Sequence, residues 1–222
     1  MEKERLITVK GIGAVTVPVD FVELEISLNE MNKDYKKGYD IFEKKMLDIK
    51  NIIIKCGFNE DDLKTSELNV KPEYDEIKKG NRYVNVLHGY EFITEMKLRF
   101  DFDSSKLNNV FTAISQNKAA PKIEVNFTVK DKEAVKKALL AASAKDAKEK
   151  AEILCNSLGV KLGNLKTINY NWDEIKIYSP TRYSVSNTVF SDLCCRETPL
   201  WGFSPDDIRV NDDASFVWEI ID

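Results

Sequence analysis

Histidine occurs only once in this sequence of 222 residues, which limits the catalytic chemistry that the chain can carry out. A serine or cysteine nucleophile that depends on a histidine base would have to use His88. His88 precedes Gly89 at the start of an expected strand, and this position favours a structural or surface role. The sequence therefore offers no histidine-based catalytic site.

Nucleotide, phosphate and metal motifs are also missing. Gly11 and Gly13 match part of a dinucleotide fingerprint, but the third glycine is absent and no helix is expected to follow. The chain contains neither a GxxxxGKS/T phosphate loop nor a GxSxG nucleophile elbow. The acidic runs at 60–62, 206–207 and 212–213 lack the spacing of a calcium loop, so we expect solvated turns. These absences predict a protein that is not an enzyme and that binds no cofactor or metal.

Cysteine is scarce, and its four residues form no metal-binding pattern. Cys56 and Cys155 fall near the ends of expected helices, where a small buried thiol is the ordinary role. Cys194 and Cys195 are adjacent, and a disulfide between neighbours is strained. Neither a CxxC motif nor zinc spacing is present. We expect a reducing environment; the alternative is that Cys194 and Cys195 form a redox-active or metal-binding pair.

The chain has neither a strong net charge nor a long apolar run. The formal net charge is −4, although charged residues make up 32% of the chain, so no overall field attracts nucleic acid or an anionic membrane. No stretch approaches the roughly 20 apolar residues of a membrane helix. The first residues have no apolar signal-peptide core. We expect a soluble cytoplasmic protein that neither binds nucleic acid nor inserts into a membrane, or an exported or periplasmic one if a signal peptide was removed.

The apolar residues, 43% of the chain, follow strand and helix periodicities. A helix with one apolar stripe is expected from Tyr35 to Cys56, ending at Gly57. The first two strands are expected to form a hairpin, in which Gly11 and Gly13 mark a bulge or a close backbone approach. Residues 78–81 are expected at the tip of a second, long hairpin.

The expected order of elements is ββα-ββα-βα-ββ. It predicts an α+β fold of mostly antiparallel sheets packed by helices, with one long C-terminal, alanine-rich helix. We expect residues 1–222 to form a single domain, or two intertwined subdomains. Residues 173–205 are expected to be an irregular, aromatic-rich insertion, because the stretch is too long for an ordinary connection.

Aromatic residues are concentrated in and around this insertion. A loop this aromatic either covers the protein's own core or forms a surface that binds a partner. The candidate interaction surface consists of Trp172, Tyr178, Tyr183, Phe190, Trp201 and Phe203.

Several short motifs occur in order along nearly the whole chain. They are Ile7-x-Val9-x-Gly11-x-Gly13, Leu68-x-Val70-x-Pro72-x-Tyr74, Gly89-Tyr90, an alanine-rich stretch around Ala144 that ends in Gly159-Val160-Lys161-Leu162-Gly163, and Val217-Trp218-Glu219. In this order and spacing they resemble the SIMPL domain family, also called the periplasmic immunogenic protein family and long regarded as a domain of unknown function.

The resemblance implies an α+β fold, frequent assembly into rings or channel-like homo-oligomers, and no established enzymatic chemistry. It also implies that some relatives are cell-envelope or periplasmic antigens and that one animal member is a signalling adaptor associated with a kinase. The segment that contains Cys194 and Cys195 matches no pattern of the family.

These observations favour a non-enzymatic self-assembling or protein-interaction module, related to stress or to the cell envelope. The expected partners are other copies of the chain, which would make it a homo-oligomer, or an unidentified protein. The alternative is a small-molecule binder or an undiscovered hydrolase with its site beneath residues 173–205.

Overall fold

The computed structural model describes residues 5–117, 119–171, 174–185 and 202–222. Strands make up 50% of these residues. In chain order the elements are β1 (Leu6–Val17), β2 (Phe21–Asn32), α1 (Tyr35–Lys55), a 3₁₀ turn (Glu60–Asp62), β3 (Leu63–Lys79), β4 (Arg82–Asp101), α2 (Ser104–Ser115), β5 (Lys122–Thr128), α3 (Lys132–Ser157), β6 (Lys161–Tyr170), β7 (Tyr178–Val185) and β8 (Ile208–Ile221).

The chain forms two compact units. Unit 1 consists of residues 1–19, 128–180 and 206–222, and unit 2 consists of residues 20–127 and 181–205. Each unit has its own antiparallel sheet, with the order β1-β8-β6 in the first and β3-β4-β2-β5-β7 in the second. None of the helices in the described ranges is long and apolar enough to cross a membrane.

The predicted fold class was wrong in its order of elements and in its C-terminal helix. Three strands follow α3, so the observed order is ββα-ββα-βα-βββ and the chain does not end on a helix. The additional strand is β7, which lies inside the stretch 173–205. Pro180 interrupts the sequence pattern of β7, and proline is tolerated there because β7 lies at the edge of its sheet.

The first two strands do not form the predicted hairpin. β1 runs through Gly11 and Gly13 as one strand and pairs with β8 along its whole length, from Leu6 opposite Glu219 to Val17 opposite Ile208. The boundary between the units follows Val19, so β2 belongs to unit 2 and pairs with β4 instead.

Helix α3 lies directly against the backbone of β1. A Cβ atom on Gly11 would lie 2.0 Å from the carbonyl oxygen of Ser143, and one on Gly13 would lie 2.1 Å from that of Leu139. Only glycine allows such an approach, because any side chain would overlap the helix backbone. The close backbone approach predicted at these glycines is confirmed. Next to this contact lies a core cluster of Val9, Ala147, Ala151, Ala214, Phe216 and Trp218.

Asp146 on α3 binds the outer edge of β1. Its Oδ2 atom accepts hydrogen bonds from the backbone N–H of Ile12 at 2.7 Å and from Lys150 at 2.6 Å. These two donors, the backbone N–H first, lower the pKa of Asp146 below its usual 3.8. Since β1 is an edge strand, the carboxylate provides the hydrogen-bond acceptor that a neighbouring strand would otherwise supply to Ile12.

Replacing Asp146 with alanine should lower the free energy of unfolding at pH 7, because the hydrogen bond from the N–H of Ile12 is lost. A carboxyl group whose pKa is lowered by folding stabilises the fold above its unfolded pKa, and this contribution is lost as the pH falls through the folded pKa. Urea unfolding at neutral and acidic pH should therefore show a difference from wild type that shrinks below about pH 4. Glu149→Ala on the same helix is the control, and an equal loss for both variants would refute the role of Asp146.

In unit 2, α1 packs against β2 and β4, and α2 packs against α1. Asp34 caps the start of α1 by accepting a hydrogen bond from the N–H of Lys37, and Cys56 is the C-cap of the helix, followed by Gly57 with φ of +89°. The predicted boundaries of this helix are confirmed. The fully buried side chains of the unit include Leu24, Ile26, Leu28, Ile49, Ile53, Phe92, Met96, Leu98, Leu107, Phe111, Ile114 and Phe127.

The β2–β4 pair carries charged residues on the face opposite this core. Lys97 forms an ion pair with Glu25 at 2.9 Å, and Arg99 lies 3.4 Å from Glu23. In each pair the two residues are directly opposite in the strand register. The face is only partly exposed, since the side chain of Arg99 is exposed and that of Glu23 is buried.

Candidate interaction surface

Strands β3 and β4 continue beyond the rest of their sheet as a two-stranded ribbon. The pairing of β2 with β4 ends at Asn32 opposite Tyr90, whereas β3 and β4 stay paired up to Lys79 opposite Arg82. We call residues 73–89 the arm. Its seven residue pairs correspond to a length of roughly 20 Å. Gly80, with φ of +64°, forms its turn.

The root of the arm is held tightly against the end of β2. A Cβ atom on Gly89 would lie 2.7 Å from the carbonyl oxygen of Asn32, so glycine is required there. A register shift between Glu73 and Tyr74 leaves an extra residue, His88, on β4. The side chain of Glu73 forms an ion pair with that of Lys71, with 2.7 Å between Nζ of Lys71 and Oε1 of Glu73.

Large apolar side chains on the arm are exposed to solvent. They are Tyr74 (57% exposed), Ile77 (38%), Tyr83 (63%), Val84 (37%), Val86 (41%) and Leu87 (43%). A contiguous group of exposed apolar side chains marks an interaction site more often than isolated ones do. A two-stranded hairpin without a packed face is also only marginally stable in water. Both arguments make the arm a candidate interaction surface.

The strand register divides these side chains between two faces. Ile77 is opposite Val84 and Asp75 is opposite Val86, so Ile77, Val84 and Val86 lie on one face, which we call the aliphatic face. Tyr74 is opposite Leu87 and Lys78 is opposite Tyr83. Tyr74, Tyr83 and Leu87 therefore lie on the other face, which we call the tyrosine face.

Charge is segregated along the arm. The acidic residues Glu73, Asp75 and Glu76 precede Ile77, and the basic residues Lys78, Lys79 and Arg82 follow it. Within the described part of the chain, Glu76, Lys78 and Lys79 form no ion pair with another residue. The arm therefore has an acidic root and a basic tip with nearly balanced charge.

His88 contacts Asp75 across the arm. Its Nδ1 atom lies 2.6 Å from Oδ2 of Asp75, and both side chains are about half exposed. The predicted surface location of His88 agrees with this placement, and the contact ties β3 to β4 near the root.

The predicted aromatic surface is only partly within the described residues: Trp172, Phe190 and Trp201 lie outside them. Phe203 is buried, with its ring centroid 5.6 Å from that of Phe111. Tyr183 is half-buried and its ring centroid lies 4.9 Å from that of Phe203. The structure thus brings Tyr183 and Phe203 together within unit 2, among core side chains.

Tyr178 begins β7, whose first three residues fall in unit 1 because the unit boundary follows Pro180, and it has a different environment. The Nζ atom of Lys132 lies 4.5 Å from the centre of its ring and donates a hydrogen bond to its hydroxyl at 3.3 Å. Tyr178 is half-buried by these contacts and neighbouring residues.

Of the four cysteines, the predicted redox pair Cys194 and Cys195 lies outside the described residues. Cys155 is buried in α3, and Cys56, at the end of α1, is half-buried. Burial raises the pKa of the Cys56 thiol, which makes it a weaker nucleophile at neutral pH. Within the described ranges, no three His, Cys, Asp or Glu side chains are grouped so that they could hold a metal ion.

An open groove in unit 1 has polar groups that already bind each other. It is lined by Ile168, Asn169, Tyr170, Asn171, Asp213 and Ser215. The hydroxyl of Tyr170 donates to Asp212 at 2.5 Å, and this hydrogen bond raises the pKa of Tyr170 to about 12. Asp213 forms an ion pair with Lys10 at 3.0 Å. Tyr170 therefore stays protonated at neutral pH, and the arrangement points to a structural role.

The apolar side chains of the arm were missed as a candidate site by the sequence analysis, although the hairpin tip was predicted. A signal is present in the sequence. Val86 and Leu87 are adjacent and apolar, and neighbouring residues on a strand point to opposite faces. A hairpin with apolar residues on both faces exposes apolar side chains to water on each face unless another surface packs there.

The fold and the arm together define a class: a protein of two antiparallel-sheet units, one with a single helix and one with two, in which one sheet extends into an exposed apolar hairpin. A search of curated proteins gave no significant match. The family profile of SIMPL, described as a protein of unknown function (DUF541), matches residues 7–193. The chain therefore belongs to the SIMPL family, and the predicted resemblance is confirmed.

Proposed function

We propose that this protein is a non-enzymatic self-assembling module and that the arm is the surface through which its copies bind each other. The observation that carries the proposal is the set of exposed apolar side chains on both faces of the arm. The family resemblance, which implies frequent homo-oligomers, supports it.

The physical reason is the free energy of exposed apolar surface. Full burial of one large apolar side chain contributes roughly 1.5–3 kcal/mol, and the arm side chains keep between 37% and 63% of their surface in water. Covering them with a second apolar surface would recover a part of that energy for each residue. It would also rigidify a ribbon that is marginal alone.

The alternative of a small-molecule binder or hydrolase beneath residues 173–205 stays a prediction. Residues 186–201 of that segment, which include Cys194 and Cys195, lie outside the described residues. Nothing on the described residues favours it over self-assembly.

Replacing the aliphatic face with threonine tests the proposal. Ile77→Thr, Val84→Thr and Val86→Thr together keep the β-branched shape that strands prefer but add hydroxyls that resist burial. We expect the dissociation constant for self-association to rise at least tenfold, which corresponds to about 1.4 kcal/mol. Size-exclusion chromatography with light scattering over a concentration series measures it.

The matched control is Leu165→Thr with Ile168→Thr on β6, where two strand residues are also exposed, at 46% and 55%. This control should assemble like wild type. If the arm variant also assembles like wild type while its circular dichroism is unchanged, the arm is not the assembling surface.

A further inference from the structure

The charges around Ile77 are arranged antisymmetrically along β3. The sequence Asp75-Glu76-Ile77-Lys78-Lys79 has two acids before the isoleucine and two bases after it. If a second copy of this segment is laid antiparallel with Ile77 opposite Ile77, Asp75 stands opposite Lys79 and Glu76 opposite Lys78. Each of the four charges on each copy then meets an opposite charge.

The register centred on Ile77 is electrostatically more favourable than the two adjacent registers. Moving the two-fold axis by one residue, to Glu76 or to Lys78, places that charge opposite its own copy. Like charges directly opposite each other destabilise an antiparallel pair, whereas opposite charges stabilise it. Electrostatics therefore selects Ile77 as the centre.

The backbone of β3 is available for such pairing. β3 lies at the edge of its sheet, and an edge strand presents a row of N–H and C=O groups that can pair with another strand. The features that block edge pairing, Pro72 and the register shift between Glu73 and Tyr74, lie at the root of the arm. Residues 75–79 lie beyond both.

We propose that β3 of one chain pairs antiparallel with β3 of a second copy about a two-fold axis at Ile77. The inference rests on the proposed function and names the partner surface for that same arm. The two arms form a four-stranded ribbon in which the aliphatic faces lie side by side, so that Ile77 of each copy packs against Ile77 of the other and is partly covered by it. The interface is isologous, since the same residues of both chains form it.

Charge reversal tests the register. The Asp75→Lys/Glu76→Lys variant has only bases in the segment, and Lys78→Glu/Lys79→Glu has only acids. Each alone should self-associate at least tenfold more weakly than wild type, because all facing charges repel. An equimolar mixture of the two should form a heterodimer, and the variant with all four reversals should regain wild-type self-association because its charges are antisymmetric again.

The outcomes separate this inference from the proposed function. If both charge variants self-associate like wild type while the threonine variant of the aliphatic face dissociates, the arm assembles in another way and this inference fails alone. If neither the charge variants nor the threonine variant changes the assembly, both this inference and the proposed function fail. The register is also wrong if the two double variants lose self-association and neither their mixture nor the variant with all four reversals regains it.

A cysteine placed on the axis provides an independent readout. Residues directly opposite in an antiparallel pair have Cα atoms about 4.5–5.5 Å apart, which suits a disulfide. Ile77→Cys should therefore give a covalent dimer under mild oxidation. Val84→Cys, which the proposed ribbon places three strand spacings (about 14 Å) from its copy, should give no more dimer than the parent chain. Equal cross-linking at both positions would contradict the two-fold axis at Ile77.

Discussion

Replacing Gly11 with alanine should destabilise the protein by about 3 kcal/mol or more, the upper range for overpacking a buried contact. The added methyl group would lie 2.0 Å from the carbonyl oxygen of Ser143 and 2.7 Å from Cβ of Ala147. The first of these atoms belongs to the backbone of α3, so no side-chain rotation can make room. Either α3 moves away from β1 or the strand distorts.

Urea unfolding followed by circular dichroism measures this effect. Gly13→Ala should behave alike, since its methyl group would lie 2.1 Å from the carbonyl oxygen of Leu139. Gly202→Ala is the control, because no heavy atom of the described residues, apart from its chain neighbours, lies within 4 Å of the added Cβ atom. A change below about 0.5 kcal/mol for Gly11→Ala, as for an ordinary surface substitution, would show that α3 does not pack on β1 as described.

Removing the arm should abolish self-assembly without unfolding the protein. Glu73 is paired with Gly89, so residues 74–88 can be replaced by a two-residue Asn-Gly turn, which suits a hairpin. The side chains that are lost are mostly exposed, and the buried core of unit 2 stays intact. We expect a cooperative unfolding transition close to that of wild type and the molar mass of a single chain.

The threonine variant of the aliphatic face is the internal comparison for this deletion, since it keeps the full length of the arm. Assembly of the shortened chain at the wild-type level would place the assembling surface elsewhere. Loss of the cooperative transition would instead show that the arm contributes to the fold of unit 2.

The sequence was informative where periodicity and local chemistry agree. The apolar stripe from Tyr35 onward and Gly57 set the bounds of α1, because a helix needs both a buried face and an end. Gly11 and Gly13 also indicated a close backbone approach before its partner, α3, could be identified. Both are local signals.

The errors concern information that is not local. The partner of β1 is β8, about 200 residues away in the chain, and alternation of apolar residues does not identify which strand pairs with which. β7 was missed because Pro180 breaks its pattern, although an edge position tolerates proline. The missing strand made the predicted order wrong after α3, where three strands follow instead of two.

The candidate site shows the same limit. An aromatic side chain can cover its own core or bind a partner, and its sequence does not distinguish the two. Phe203 and Tyr183 pack within unit 2, whereas Tyr74 and Tyr83 on the arm are exposed, as are Tyr35 and Tyr39 on α1. The exposure of the arm side chains could be recognised only once the structure showed where the pairing of β2 with β4 ends.

The most direct test of self-assembly through the arm is the molar mass of the intact chain in solution. Light scattering at tens of micromolar should give at least twice the 25.4 kDa of one chain, with dissociation on dilution. A mass of 25.4 kDa at every concentration, for a protein that unfolds cooperatively, would contradict the account.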